Sequence, residues 1–259
     1  MSAEAGSVSR VRGLALSTSG VTAGYGGSPI IHDISISVAP GEVVSVVGPN
    51  GSGKSTLLKS LVGIVEILSG TVTVGEQDVT HWAPEEVARV GVGYVPQVDD
   101  VFAPLTVREN LEMGGYLLRP AEVAGRVDHV LELFPQLARM QRRKAGKLSG
   151  GERKMLAMGR ALMLEPAVVV LDEPTANLAP AIAHTVLTDH VRRLAETGAS
   201  VLIVEQRARA VLEISDRTYV LGGGTLQMEG TPSELAASPA FIDSFLGGNR
   251  RSAVVARDE

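Results

Sequence analysis

The chain contains no cysteine among its 259 residues. That removes a disulfide framework, a thiolate zinc site and a cysteine nucleophile together. Aromatic residues are scarce, at four Phe, four Tyr and one Trp, too few for a base-stacking surface. Basic residues are not in surplus either. The 24 Lys and Arg stand against 29 Asp and Glu, for a net charge of −5 at pH 7, and a nucleic-acid binder would carry the opposite sign. No apolar run approaches the roughly 18–20 residues of a membrane span. The leading segment MSAEAGSVSRVRG holds Glu4 and no apolar centre, unlike a secretory signal. The five histidines, His32, His81, His129, His184 and His190, show no metal-binding spacing. These absences predict a soluble, cytoplasmic protein with no nucleic-acid partner.

What is present is a core-forming composition, 44% hydrophobic, enough for one large domain or two lobes around one core. Residues 1–13 and 248–259 are small, polar and unpatterned and read as tails around a domain at 14–247. Between them, short β-branched runs alternate with helical stretches, the pattern of an α/β fold. Ile34–Val38 alternates as a half-buried strand should, and Val43–Val47 is apolar throughout, as in a strand buried on both faces. Thr71–Val74, Ala167–Leu171 and Ala199–Val204 are further predicted strands, and Leu221–Thr225 is a hairpin turn. Thr106–Phe134 is helical in texture, broken at Arg119-Pro120. It predicts a helical lobe over about 100–163. Thr231-Pro232-Ser233-Glu234 is a capping box that starts a helix.

Gly48-Pro49-Asn50-Gly51-Ser52-Gly53-Lys54-Ser55-Thr56 matches G-x-x-x-x-G-K-[ST], between a buried strand and a helical run. Glycines let successive N–H groups wrap a phosphate, and the helix N-terminus adds partial positive charge at the same place. Lys54 is expected on the β- and γ-phosphates of a nucleotide and the Ser55 hydroxyl on Mg²⁺. Downstream, an apolar run ends in Asp172-Glu173-Pro174. Strand C-termini of a parallel sheet open on the ligand crevice. Asp172 is therefore placed to hold Mg²⁺ and Glu173 to polarise an attacking water.

Leu148-Ser149-Gly150-Gly151-Glu152 precedes a helical run and lies between those two motifs. In this order of motifs the chain resembles the nucleotide-binding subunits of ATP-binding cassette (ABC) transporters, over roughly residues 14–247. The resemblance implies a P-loop NTPase core of RecA type with an antiparallel β subdomain and a helical subdomain. It places Tyr25 against adenine and Gln97, in Tyr94-Val95-Pro96-Gln97, on Mg²⁺. Leu148, Ser149, Gly150, Gly151 and Glu152 become the signature that reaches the ATP of a second subunit. A head-to-tail dimer follows, homo- or heteromeric, with transmembrane permease subunits and a solute-binding protein as further partners at the inner face of the membrane.

Two departures narrow the branch. Thr175-Ala176-Asn177-Leu178-Ala179-Pro180 lacks the usual aspartate, and Val204-Glu205-Gln206-Arg207 carries Gln206 where most relatives have a switch histidine. Both are similar to the second ATP-binding subunit of branched-chain amino-acid importers, as is Phe102-Ala103-Pro104-Leu105-Thr106-Val107-Arg108-Glu109-Asn110-Leu111. The expected activity is ATP hydrolysis driving uptake of branched-chain or other hydrophobic amino acids, with Glu173 and Gln206 as the catalytic pair. A urea or short-amide importer and a non-transport ABC ATPase are the alternatives. Val101, Phe102, Leu105 and Val107 are expected to line the groove that receives a permease helix, or else to form the lobe's core.

Overall fold

The computed structural model describes residues 12–98 and 100–246; the tails at 1–11 and 247–259 lie outside the described residues. In chain order the strands are β1 (Leu16–Tyr25), β2 (Ser28–Ile34), β3 (Ser37–Val38), β4 (Val43–Val47), β5 (Glu66–Val74) and β6 (Gln77–Asp78). There follow β7 (Val92–Val95), β8 (Val168–Asp172), β9 (Ser200–Glu205), β10 (Arg217–Gly222) and β11 (Thr225–Gly230). They build two sheets. One is antiparallel, in the order β2-β1-β5-β6 with β3 paired to β1; the other runs β11-β10-β4-β9-β8-β7. In the second sheet only the β10–β11 hairpin is antiparallel.

Side chains of the parallel strands alternate between two apolar layers, as the period of two demands. Val44, Val46, Val168, Val170, Leu202 and Val204 face the antiparallel sheet. Val43, Val47, Val169, Leu171, Val201 and Ile203 face the helices of the other layer. Each such Val or Leu withdrawn from water contributes about 1.5–3 kcal/mol, which fixes the register of the sheet. Among the described residues, four α-helices and the short 3-10 helix Ala145–Lys147 fill the chain between β7 and β8; the α-helices are Val107–Gly114, Pro120–Leu133, Pro135–Ala138 and Gly150–Leu162. Their stops are legible. Thr106 and Glu109 form a capping box at the first, and Pro120 opens the second.

The expected strand Ile34–Val38 is a correction. Its pairing breaks at Ser35-Ile36, giving β2 and β3 instead. Asp33 takes a left-handed φ of 50°. Beyond it Thr18 Oγ1 donates to Ile34 O and accepts from Ile36 N, both at 2.9 Å. A side chain from β1 thus substitutes for the ladder where the strand bends.

Candidate active site

β4 carries the chain into the phosphate loop, and the helix Lys54–Leu61 leaves it. Two of its glycines are fixed by space. A Cβ on Gly48 would sit 2.3 Å from Leu221 O, and one on Gly53, whose φ is +99°, 2.5 Å from Ile31 Cγ2. Lys54 is 4% exposed. Its ammonium donates to Gly48 O at 3.0 Å and Pro49 O at 3.1 Å, and lies 3.3 Å from Glu173 Oε1. Ser52 Oγ is buried without a hydrogen-bond partner. A cavity of about 440 Å³ opens beside the loop, lined by Asn50, Gly51, Gly53, Lys54, Ser55 and Thr56 together with Gln97, Glu173 and Gln206. Gly48 and Pro49 lie on the other side, where they line a second cavity with Gln206.

The acidic pair sits where β8 ends. Ser55 Oγ donates to Asp172 Oδ1 at 2.9 Å, and the Tyr94 hydroxyl approaches Oδ2 at 3.4 Å. Burial pushes the Asp172 carboxyl above its ordinary range, and the Ser55 hydrogen bond opposes that only in part. Burial likewise raises the Tyr94 phenol, so its proton stays on at neutral pH. Glu173 holds a left-handed φ of 42°, a conformation that costs a non-glycine residue about 1–2 kcal/mol. Its carboxylate gathers three partners. Gln97 Nε2 donates at 2.9 Å, Gln206 Nε2 at 3.0 and 3.2 Å, and Lys54 completes the set. Gln206 Nε2 also donates to Asn50 Oδ1.

Not every predicted residue joins this cluster. Tyr25 stands at the β1–β2 hairpin, 51% exposed, outside the cavity lining. None of Leu148, Ser149, Gly150, Gly151 and Glu152 lines it either. Ser149 caps the helix Gly150–Leu162: Glu152 N donates to Ser149 Oγ at 3.3 Å, and Ser149 N to Glu152 Oε2 at 2.7 Å. Gly150 and Gly151 pack so closely on Leu178 and Ile182 that a Cβ would meet them at 2.6 and 2.7 Å.

The apolar cluster after Gln97 divides. Val107 is fully buried in the core, which corrects its place in a groove, whereas Phe102 is exposed under the Arg160 guanidinium at 4.5 Å. Nothing in the sequence alone gives a part to Tyr94, Glu205 or Lys154. Glu205, 2% exposed, accepts from Thr175 N at 2.9 Å and Thr175 Oγ1 at 2.7 Å and so anchors the loop that follows Glu173. The V-E-Q stretch was its only signal.

A phosphate loop between strand and helix, facing carboxylates at the end of another parallel strand, defines a P-loop ATPase. The chain belongs to the ABC transporter family, whose model matches residues 31–176. It is 42% identical over 232 residues to the probable branched-chain amino acid transport ATP-binding protein LivF of Archaeoglobus fulgidus, covering 90% of this chain and 98% of that one. It is 40% identical over 233 residues to the high-affinity branched-chain amino acid transport ATP-binding protein BraG of Pseudomonas aeruginosa, covering 90% and 100%. Among solved structures, an ATP-binding cassette of an ABC transporter in its ADP conformation superposes with a TM-score of 0.80 at 32% identity, covering 91% of this chain and 99% of that one. A nucleotide-free cassette superposes at 0.79 with 31% identity, covering 91% and 100%.

Proposed function

We propose that the chain, over residues 14–247, is the ATP-hydrolysing subunit of an importer for branched-chain or other hydrophobic amino acids. One observation carries the catalytic part: three side chains from separate segments, Lys54, Gln97 and Gln206, converge on the carboxylate of Glu173. Glu173 takes the proton of a water that attacks the γ-phosphorus, and ADP departs as the leaving group. Gln206 can donate through its NH₂ and accept through its carbonyl, so it orients water and phosphate without taking a proton. The loop Gly48–Thr56 wraps the phosphates and Tyr25 stacks on adenine. Mg²⁺ suits the hard oxygen donors of Ser55, Asp172 and Gln97. The buried Asp172, its carboxyl raised by desolvation, is the group a cation would relieve. When bound, the ion neutralises charge on the β- and γ-phosphates.

The signature Leu148–Glu152 serves the ATP of a second cassette, and ATP completes a head-to-tail dimer. A cavity of about 530 Å³ between core and helical lobe, with exposed Ile64, Met113 and Tyr116 at its edge, suits an amphipathic permease helix. Among the described residues no helix is long and apolar enough to cross a membrane. The likeness to transport ATP-binding subunits supports work from the inner face of the membrane through permease partners. The solute assignment rests on the two relatives named for branched-chain amino acid transport. The test is ATP hydrolysis by the assembled transporter with its solute-binding protein. Leucine, isoleucine or valine should stimulate it. Stimulation by urea or short amides alone would replace the amino-acid reading.

A further inference from the structure

Lys154 lies one turn into the helix that Ser149 caps, yet it is only 6% exposed. Its ammonium has two partners. It donates to the backbone carbonyl of Gln97 at 2.7 Å and lies 2.7 Å from Asp100 Oδ2. Further along the same helix, Arg160 donates to Asp100 O and covers the Phe102 ring. The segment after β7 is therefore gripped by one helix at both backbone and side chain. A lysine buried this deeply is rare without such pairing. Gln97 in turn donates its amide to Glu173 at 2.9 Å. One unbroken path of contacts runs from the signature helix through Lys154 and Gln97 to Glu173.

We propose that Lys154 is a positioning residue, whose buried ammonium locks the backbone of Gln97 to the signature helix and thereby sets the Gln97 amide against Glu173. The inference rests on the catalytic reading of Glu173 above. The helix that presents Ser149 to one nucleotide and the glutamine that serves another then move as one body. Small displacements matter here, since misplacing a reacting group by about 1 Å costs on the order of 10²-fold in rate.

The test is steady-state ATP hydrolysis by the full chain with Lys154→Met, Asp100→Asn and the pair combined, with thermal melting and ATP binding followed alongside. Lys154→Met should lower kcat by about 10- to 100-fold with ATP binding retained. Lys154→Arg, which keeps the charge, should restore part of the loss. Because Lys154 and Asp100 form one contact, the double variant should be no worse than Lys154→Met, against the multiplied losses of independent sites. A wild-type kcat in Lys154→Met overturns the proposal, and so do losses that multiply. If Lys154→Met does not fold, Asp100→Asn, nearly unchanged in shape, decides by the same kcat. Glu173→Gln in the same assay separates the two readings: if it hydrolyses ATP at the wild-type rate, the catalytic reading fails, whatever Lys154 does.

Discussion

Glu173 holds a backbone conformation that non-glycine residues seldom adopt, and its two oxygens receive donors from three other segments. Strain of this kind persists only where surrounding contacts over-determine it. Gln206→Ala removes one of those contacts, and turnover should fall by about 10²-fold with ATP binding largely kept. Full activity in that variant would contradict the role given to Gln206. Glu205 supports the same loop from below. Burial raises its carboxyl above the ordinary value, so the folded chain holds the proton more tightly than the unfolded one. Its contribution to stability is then present at low pH and lost as pH rises through the folded value. Glu205→Gln, which does not titrate, should flatten the decline in melting temperature above about pH 4.3. Glu205→Ala should cost about 1–3 kcal/mol, because it strands the Thr175 donors. Melting curves across pH check both, and an unchanged slope in Glu205→Gln would refute the first.

The helical layer holds a second titrating group. His190 lies in a π-helical stretch, Val186–Val191, with its ring edge-on to Phe134 at 5.9 Å and Nδ1 without a partner. Burial lowers its pKa, Arg193 adds to that, and Asp189 opposes it. Here the sign reverses. The stability is fully present above about 6.5, the ordinary histidine value, and is lost as pH falls through the lower folded value. His190→Leu should remove that acid-side loss; melting compared at two pH values tests it, and an unaltered loss would count against the assignment. Legibility in the sequence also varied by element. Val43–Val47 was readable residue for residue, because a strand buried on both faces leaves an unbroken apolar run. β8 and β9 were displaced by one residue toward Asp172 and Glu205, since their pairing continues through the carboxylates. Most of the antiparallel sheet went unread: β1, with Ser, Thr and Gly through its length, shows little apolar alternation. The phosphate loop and acidic pair were legible as contiguous motifs. The Lys154–Gln97 and Glu205–Thr175 contacts were not, being made 57 and 30 residues apart.

Taken whole, the molecule has two faces that the proposed function assigns to partners. Tyr116, 61% exposed at the edge of the cavity between core and lobe, is neither in the nucleotide site nor in the core. Tyr116→Glu should therefore uncouple uptake from ATP hydrolysis while basal hydrolysis stays intact; transport assayed beside phosphate release distinguishes this from a general loss. The other face carries Ser149, and the central claim is that Glu173 hydrolyses an ATP completed by the signature of a second subunit. The most direct measurement is the mass in solution of Glu173→Gln with MgATP, alone and combined with Ser149→Arg, together with phosphate release. Glu173→Gln should bind ATP, release almost no phosphate and accumulate as dimers, and Ser149→Arg should keep it monomeric while each monomer still binds ATP. Phosphate release by Glu173→Gln at the wild-type rate, or dimers that persist with Ser149→Arg, would contradict it.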